Sequence, residues 1–419
     1  MTSHDYDVLI IGGGVAGLAC ACLLRKFLHS RRPAVRIGVI ESQAPRPVAA
    51  DAETGLRVLA IAPATRAILE ACGAWQLLPA GRAAPYESMR VWQSDSTVSG
   101  FGSIGFDAAD SGLPELGHIV EHDWLRQSLW SVLVEDPDGS VTLLTDADPV
   151  ALLAHPDAMA VHRAGGTELR TRLLVGADGA DSWVREQLRL TTTAREYGQL
   201  ALVAHISCER SHERTAWQCF THGGPVALLP LADGRVSLVW SCPEADAREL
   251  VALPDDEFGA RLTAATGGVL GTLRPTTRRL AVPLAARHTH RYTGPRFALI
   301  GDAAHQIHPL AGQGINLGLF DAAVLADTLA SHLLGTRLAD PGDALVLRRY
   351  ERARKGDNLL TMATMEGLHR VFTSDSSALM RLATSALGAV DRLPHIKRLF
   401  ANQAMGLAAA GAWDQHESL

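Results

Sequence analysis

Cysteine is scarce and unpatterned: six occur in 419 residues, and no two form a C-x-x-C pair. That spacing excludes a disulfide framework and a zinc site of the usual ligand pattern. Cys20 and Cys22 fall two apart in a predicted helix and point to different faces, as core residues do, so a reducing cytoplasm is expected. Basic charge is also lacking. Lys and Arg number 39 against 45 Asp and Glu, the formal net charge is -6 and the pI is near 6.3, so no general basic field invites nucleic acid. A signal peptide is not expected, because Asp5 and Asp7 precede the first apolar run and no cleavage site follows. The nearly uncharged stretch Val8 to Leu24 falls short of the ~20 residues of a membrane span and carries three consecutive glycines. No internal repeat and no low-complexity linker interrupts the chain. A content of 47% hydrophobic and 20% charged residues suits two or three globular domains, or one core with insertions.

The N-terminus carries the first positive signal. Asp7 to Ile11 reads as a short buried strand, Gly12, Gly14 and Gly17 form G-x-G-x-x-G, and Ala16 to Leu28 reads as a helix. Arg36 to Ile40 is a second strand ending in Glu41. This is the dinucleotide-binding βαβ pattern. The first glycine allows the tight turn, the second lets a pyrophosphate reach the backbone, and the third lets helix and strand pack closely. The acid after the second strand suits a ribose and disfavours a 2′-phosphate, so FAD or NAD is expected here rather than NADP.

A second signal lies far downstream. Phe297 to Ile300 is an apolar strand broken at Gly301-Asp302, followed by a loop with His305, His308, Pro309, Gly312 and Gly314, and a helix-like run from near Asn316. A strand-end carboxylate and a glycine-rich loop before a helix N-terminus suit a polar, anionic cofactor. Between the two signals, Leu56 to Trp75 reads as a strand and a helix, with Arg57 in the approach. His118 to Trp130 reads as a strand entering a helix, with Glu121 and Arg126 near the junction. Val132 to Val134 and Val141 to Leu144, joined by the turn signal Asp138-Gly139, read as the start of a β-meander. Leu173 to Asp178 is a further buried strand before Gly179. Leu200 to Ile206, Ala216 to Phe220, Val226 to Pro230 and Val236 to Trp240 follow as clustered strands, and the chain is mostly helical from Ala344. Asp-Gly and Gly-Asp each occur three times, so only Asp178-Gly179 and Gly301-Asp302, each at a strand end, carry weight.

Taken in this order, G-x-G-x-x-G with Glu41, then GADG at 176–179, then GDAAH at 301–305 resemble the class A flavoprotein aromatic hydroxylases over nearly the whole chain. LRVLAIAPAT, LGHIVE, VGADGADSWVR, HPLAGQGINLG, RRYERARK and ANQAMGL are similar to wording in the ubiquinone-biosynthesis hydroxylases, nearest the 2-octaprenylphenol hydroxylase type. The resemblance implies an α/β fold. It would have a Rossmann-like, p-hydroxybenzoate hydroxylase-like FAD-binding domain, an inserted antiparallel β-sheet substrate domain and C-terminal helices. The FAD-binding domain is expected at 1–75, 105–190 and 285–345, the insert at 76–104 and 191–284, and the helical region at 346–419.

By the same resemblance, Gly12, Gly14, Val15, Ala16, Gly17 and Glu41 would hold the ADP half of FAD. Arg57 and Arg126 would face the flavin and pyrophosphate, with Glu121 a weaker candidate, and Gly301 and Asp302 would meet the ribityl or pyrophosphate region. Gly312, Gly314, Ile315, Asn316 and Leu317 would offer backbone N–H groups near the flavin, and Asp178 would serve FAD and NAD(P)H indirectly. His308 and Pro309 are weak candidates for the reaction face, His305 is expected to shape the loop, and no catalytic base or metal ligand is named. The implied chemistry is reduction of FAD by NADPH or NADH, uptake of O2 as a flavin C4a-hydroperoxide, and hydroxylation of a polyprenylphenol ring. The expected setting is cytoplasmic, with peripheral contact to the inner membrane or a quinone-biosynthesis complex, in which the tail Ile396 to Trp413 could take part. A soluble aromatic substrate, or a non-catalytic flavin-binding assembly subunit, remains as an alternative. A disulfide reductase would need a redox cysteine pair, and a flavin halogenase a W-x-W-x-I-P segment; neither occurs.

Overall fold

The computed structural model describes residues 4–29, 31–32, 34–100, 102–136, 139–145, 147–307, 313–335, 339–372 and 395. Tyr6–Ile11 is a strand whose Val8, Leu9 and Ile10 are fully buried, as an apolar run with no alternation requires. It pairs in parallel with Ile37–Ile40 on one side and Glu168–Gly176 on the other. Phe297–Leu299 and Val141–Leu144 extend this parallel sheet at its two sides. The register places Ile11, Ile40, Gly176 and Leu299 in one row. The residues that follow each of them therefore emerge together at the carboxyl edge of the sheet, where open α/β sheets bind ligands.

Three helices share a core with this sheet. Val15–Leu28 packs against Gln313–Gly335 and His122–Val134. Gln313–Gly335 is long and apolar enough to cross a membrane by composition, yet most of its side chains are buried in this core. The residues Val132 to Val134 are the last turn of the His122–Val134 helix and not a strand. Leu125, Leu129 and Leu133 bury a stripe at four-residue spacing, and that helical phase overrides the local β-branched character. Asp138, the first residue of the turn expected there, lies outside the described residues.

A second, nine-stranded sheet runs in the order His305–Gln306, Leu280–Thr289, Thr192–Cys208, Val236–Pro243, Gly224–Pro230, Thr215–Thr221, Ser88–Gln93 and Ser103–Asp107. Leu273–Pro275 pairs beside Thr192–Cys208. Its neighbours are antiparallel except Thr215–Thr221 with Ser88–Gln93, which run parallel. Ser103–Asp107 and Leu280–Thr289 straddle the divisions at 104/105 and 284/285 drawn from the sequence, because these strands are continuous members of this sheet. Two helices absent from the sequence reading, Glu244–Ala252 and Asp255–Ala265, cover one face. Their Leu250, Phe258 and Leu262 pack on Leu202, Ile206, Leu228 and Leu238. Val58–Ile61, Gly117–Glu121 and Ala83–Tyr86 form a separate three-stranded sheet.

Candidate active site

At the carboxyl edge of the parallel sheet, Gly12 takes φ +113, a conformation that a side chain would strain. A Cβ there would also meet the Ala177 oxygen at 2.3 Å, and one on Gly17 would meet the Gly12 oxygen at 2.1 Å. These two glycines are close-packing residues. Gly14 differs: it caps the Val15–Leu28 helix with extended backbone and no side-chain acceptor, and a Cβ on it would meet nothing within 4 Å. Open space therefore faces the N–H end of the helix at Val15 and Ala16, the surroundings a pyrophosphate needs.

Glu41 and Arg126 clasp the same loop. The Gly13 N–H donates to Glu41 Oε2 at 2.7 Å, and Arg126 Nε donates to the Gly13 oxygen at 2.8 Å. Arg126 also donates to the Gln43 oxygen and stands 3.5 Å from the Glu41 carboxylate. Glu121 is buried and committed elsewhere: it accepts from Arg82 at 2.8 Å and from the Gly55 N–H at 2.6 Å. Arg82 in turn donates to the oxygens of Ala50 and Ala52, so this pair fixes the loop after the second strand.

The downstream signal arrives beside the first. Gly301, at φ +59, has its Cα 3.3 Å from where a Cβ on Gly318 would stand, and both glycines face the Ala16 side chain. The turn at Gly301-Asp302 thus seats between the start of Val15–Leu28 and the start of Gln313–Gly335. Asp302 is exposed by area but recessed in the cleft, with protein dense on most sides. Lost hydration pushes the Asp302 pKa up, while His305 and Arg57 pull it down. Arg57 is exposed and acts on both Asp302 and His122 through its charge.

Asp178 is turned inward. Its carboxylate accepts from the Ser182 hydroxyl at 2.6 Å and the Val184 N–H at 2.9 Å, closing the turn into Trp183–Gln187. Burial pushes its pKa up against those two bonds. The buried Arg185, which sequence reasoning missed, donates to the oxygens of Ala180 and Ala303 and so ties the Asp178 and Asp302 turns together. Asn316 likewise spends its side chain on structure. It donates to the Ala60 oxygen and accepts from the Ala62 N–H and the Thr65 hydroxyl, leaving its main chain, with that of Gly314, Ile315 and Leu317, in the first turn of the helix. His305 is buried and hydrogen-bonded to Asp321 at 2.5 Å. His308, Pro309 and Gly312 lie outside the described residues.

The nine-stranded sheet supplies an apolar wall. Its register sets Ala227, Val239 and Val203 side by side across three strands, all half-buried, on the face opposite Leu202, Leu228 and Leu238. On the same face Leu229 packs toward Val58 and Ala60, the strand that Asn316 grips. The row is an apolar, half-buried face of this sheet.

The chain matches the family model described as FAD binding domain over residues 138–356. It is 38% identical to the ubiquinone hydroxylase UbiL of Rhodospirillum rubrum, covering 97% of this chain and 90% of that one. It is 34% identical to the 3-demethoxyubiquinol 3-hydroxylase of Escherichia coli, covering 97% of this chain and all of that one (100%). Among solved structures, pqsL, a probable FAD-dependent monooxygenase from Pseudomonas aeruginosa, superposes with a TM-score of 0.72 at 25% identity, over 92% of this chain and 99% of that one. Open space at Gly14, the Glu41 clasp and the paired helix ends fit FAD on this chain's own geometry. The chain belongs to the FAD-dependent class A flavoprotein monooxygenases, in the family that includes the ubiquinone-biosynthesis hydroxylases.

Proposed function

We propose that this enzyme hydroxylates the aromatic ring of a polyprenylphenol-type precursor of ubiquinone, using NADPH or NADH as transient reductant and O2 as co-substrate. The observation that carries the reading is 38% identity to a ubiquinone hydroxylase over nearly the whole chain, joined to the half-buried apolar row Ala227–Val239–Val203 of the nine-stranded sheet. Gly12, Gly14, Val15, Ala16, Gly17 and Glu41 would hold the ADP half of FAD. Arg57, Arg126, Asp302 and the main chain of Gly314 to Leu317 would hold the rest, with Asp178 acting through the turn it closes. When bound, FAD supplies the redox chemistry that passes one oxygen of O2 to the ring. The protein's share is placement. Two helix N-termini present partial positive charge to an anionic cofactor, and the apolar wall excludes water from the ring to be hydroxylated. No side chain is assigned as a base.

For the membrane contact we propose the outer face of Ala344–Phe372. Arg348, Arg349 and Arg352 have no acidic partner there among the described residues, and Leu345 and Leu360 are 67% and 61% exposed. A cationic, leucine-studded helix face suits an anionic bilayer surface or an acidic partner. The tail Ile396 to Trp413 lies outside the described residues.

Purified flavoprotein given a prenylphenol should oxidise NAD(P)H faster and yield a hydroxylated ring. Oxidation without hydroxylated product would remove the substrate assignment, and protein that takes up no flavin would remove the enzyme reading altogether. In cells lacking the protein, the unhydroxylated precursor should accumulate.

A further inference from the structure

Beneath the Gly301-Asp302 turn, four donors converge on one carboxylate. Asp321 is completely buried in the helix Gln313–Gly335. Its Oδ2 accepts the Gly301 N–H at 3.0 Å and stands 2.5 Å from His305 Nε2. Its Oδ1 accepts Arg354 Nε at 2.9 Å and Asn358 Nδ2 at 3.1 Å, both from Ala344–Phe372. Arg354 also donates to Asn358 Oδ1 at 2.9 Å and lies over the Phe320 ring at 5.6 Å. A carboxylate offers about four lone-pair sites, and here each has a donor.

The arrangement has a direction. Gly301 and His305 flank Asp302 in the chain, and both are gripped by the same oxygen, while the Asp302 side chain alone faces the cleft. Burial raises the Asp321 pKa, but His305 and Arg354 outweigh it and hold the carboxyl down to about 2, so the grip persists through the working pH range. Well-packed apolar residues commonly replace a buried ionic network without loss of stability. A network retained directly beneath a cofactor turn therefore points to a geometric task.

We propose that Asp321 is a positioning residue for the cofactor: by clamping Gly301 and His305 it fixes where Asp302 meets FAD, and Arg354 and Asn358 anchor that clamp to the Ala344–Phe372 helix. The inference rests on FAD occupying this site and not on the identity of the ring substrate, so a flavin titration reads it whether or not a prenylphenol is turned over.

The test uses the full-length protein stripped of flavin and titrated with FAD. Asp321→Asn keeps the size but turns an amide N–H₂ toward N–H donors, so the dissociation constant for FAD should rise about tenfold or more. The FAD-dependent increase in Tm should shrink beyond any fall in the Tm of the flavin-free protein, and the absorption band of bound flavin should shift. Asn358→Ala removes one donor and leaves the others, so its affinity should fall by about threefold. A purely structural role would lower both Tm values equally and leave affinity and spectrum alone. Asp321→Asn with wild-type affinity and spectrum overturns the proposal; should that variant fail to fold, the same result with Asn358→Ala overturns it.

Discussion

His118 shows how a single buried group makes this fold sensitive to pH. It is 8% exposed and meets Trp75 edge-on at 5.1 Å. Burial pushes its pKa down to about 4, and the nearby Arg66 charge acts in the same direction. His288 is also held at about 4, by burial first and then by Lys355, His305 and His290. The unfolded histidines titrate near ~6.5. Below that value the unfolded chain binds protons that the folded chain refuses. The stabilisation is therefore complete above the unfolded pKa and is lost as pH falls toward the folded one. The urea midpoint should drop between about pH 7 and about pH 5, and less steeply in His118→Gln; an identical drop in both would show that His118 does not contribute. Such residues were opaque in the sequence, where His118 is one histidine among 17. Gly12, Gly14, Gly17 and Glu41 were legible because their spacing is set by one local turn. Asp321 and Arg354 were not, since their meaning comes from a pairing across 33 residues. Asp321, one of two carboxylates inside NLGLFDAAVLADTLA, was the available clue.

Elements repeat this contrast between local pattern and distant partner. The alternating strands of the nine-stranded sheet could be read because one face is buried and the other is half-open. Val132 to Val134 misled, since a short Val-Leu-Val run says less than the stripe Leu125, Leu129 and Leu133 that it completes. The helices Glu244–Ala252 and Asp255–Ala265 went unread because few apolar residues mark their buried sides, which gain their cover only from the sheet. The loop over residues 50–55 shows what a distant partner can hold. Arg82 and Glu121 are 10% and 7% exposed at their side chains, and together they fasten the oxygens of Ala50 and Ala52 and the N–H of Gly55. Arg82→Met should leave the Glu121 charge buried and unpaired, destabilising the protein by about 3 kcal/mol in urea unfolding. A loss under about 0.5 kcal/mol would mean that water or another cation replaces Arg82.

At the scale of the whole molecule, the proposed function draws on an edge of one sheet and a face of another. The parallel sheet contributes an edge, because its register ends four strands in one row beside the starts of two helices. The nine-stranded sheet contributes a face, and strand alternation makes that assignment testable at neighbouring positions. Leu238 is fully buried under the helices Glu244–Ala252 and Asp255–Ala265, whereas Val239, next in sequence, is half-buried on the opposite face. Leu238→Lys should therefore fail to fold, since it drives a charge into a closed core. Val239→Lys should fold and retain FAD, because its ammonium can reach water from a half-buried site, yet it should interrupt the apolar row shared with Ala227 and Val203. Hydroxylation of a phenol with a long prenyl chain should then fall by about tenfold or more, while a phenol lacking the chain loses far less. Equal losses on the two substrates would place the prenyl chain elsewhere, and unfolding of both variants would mean that Val239 also faces a closed core.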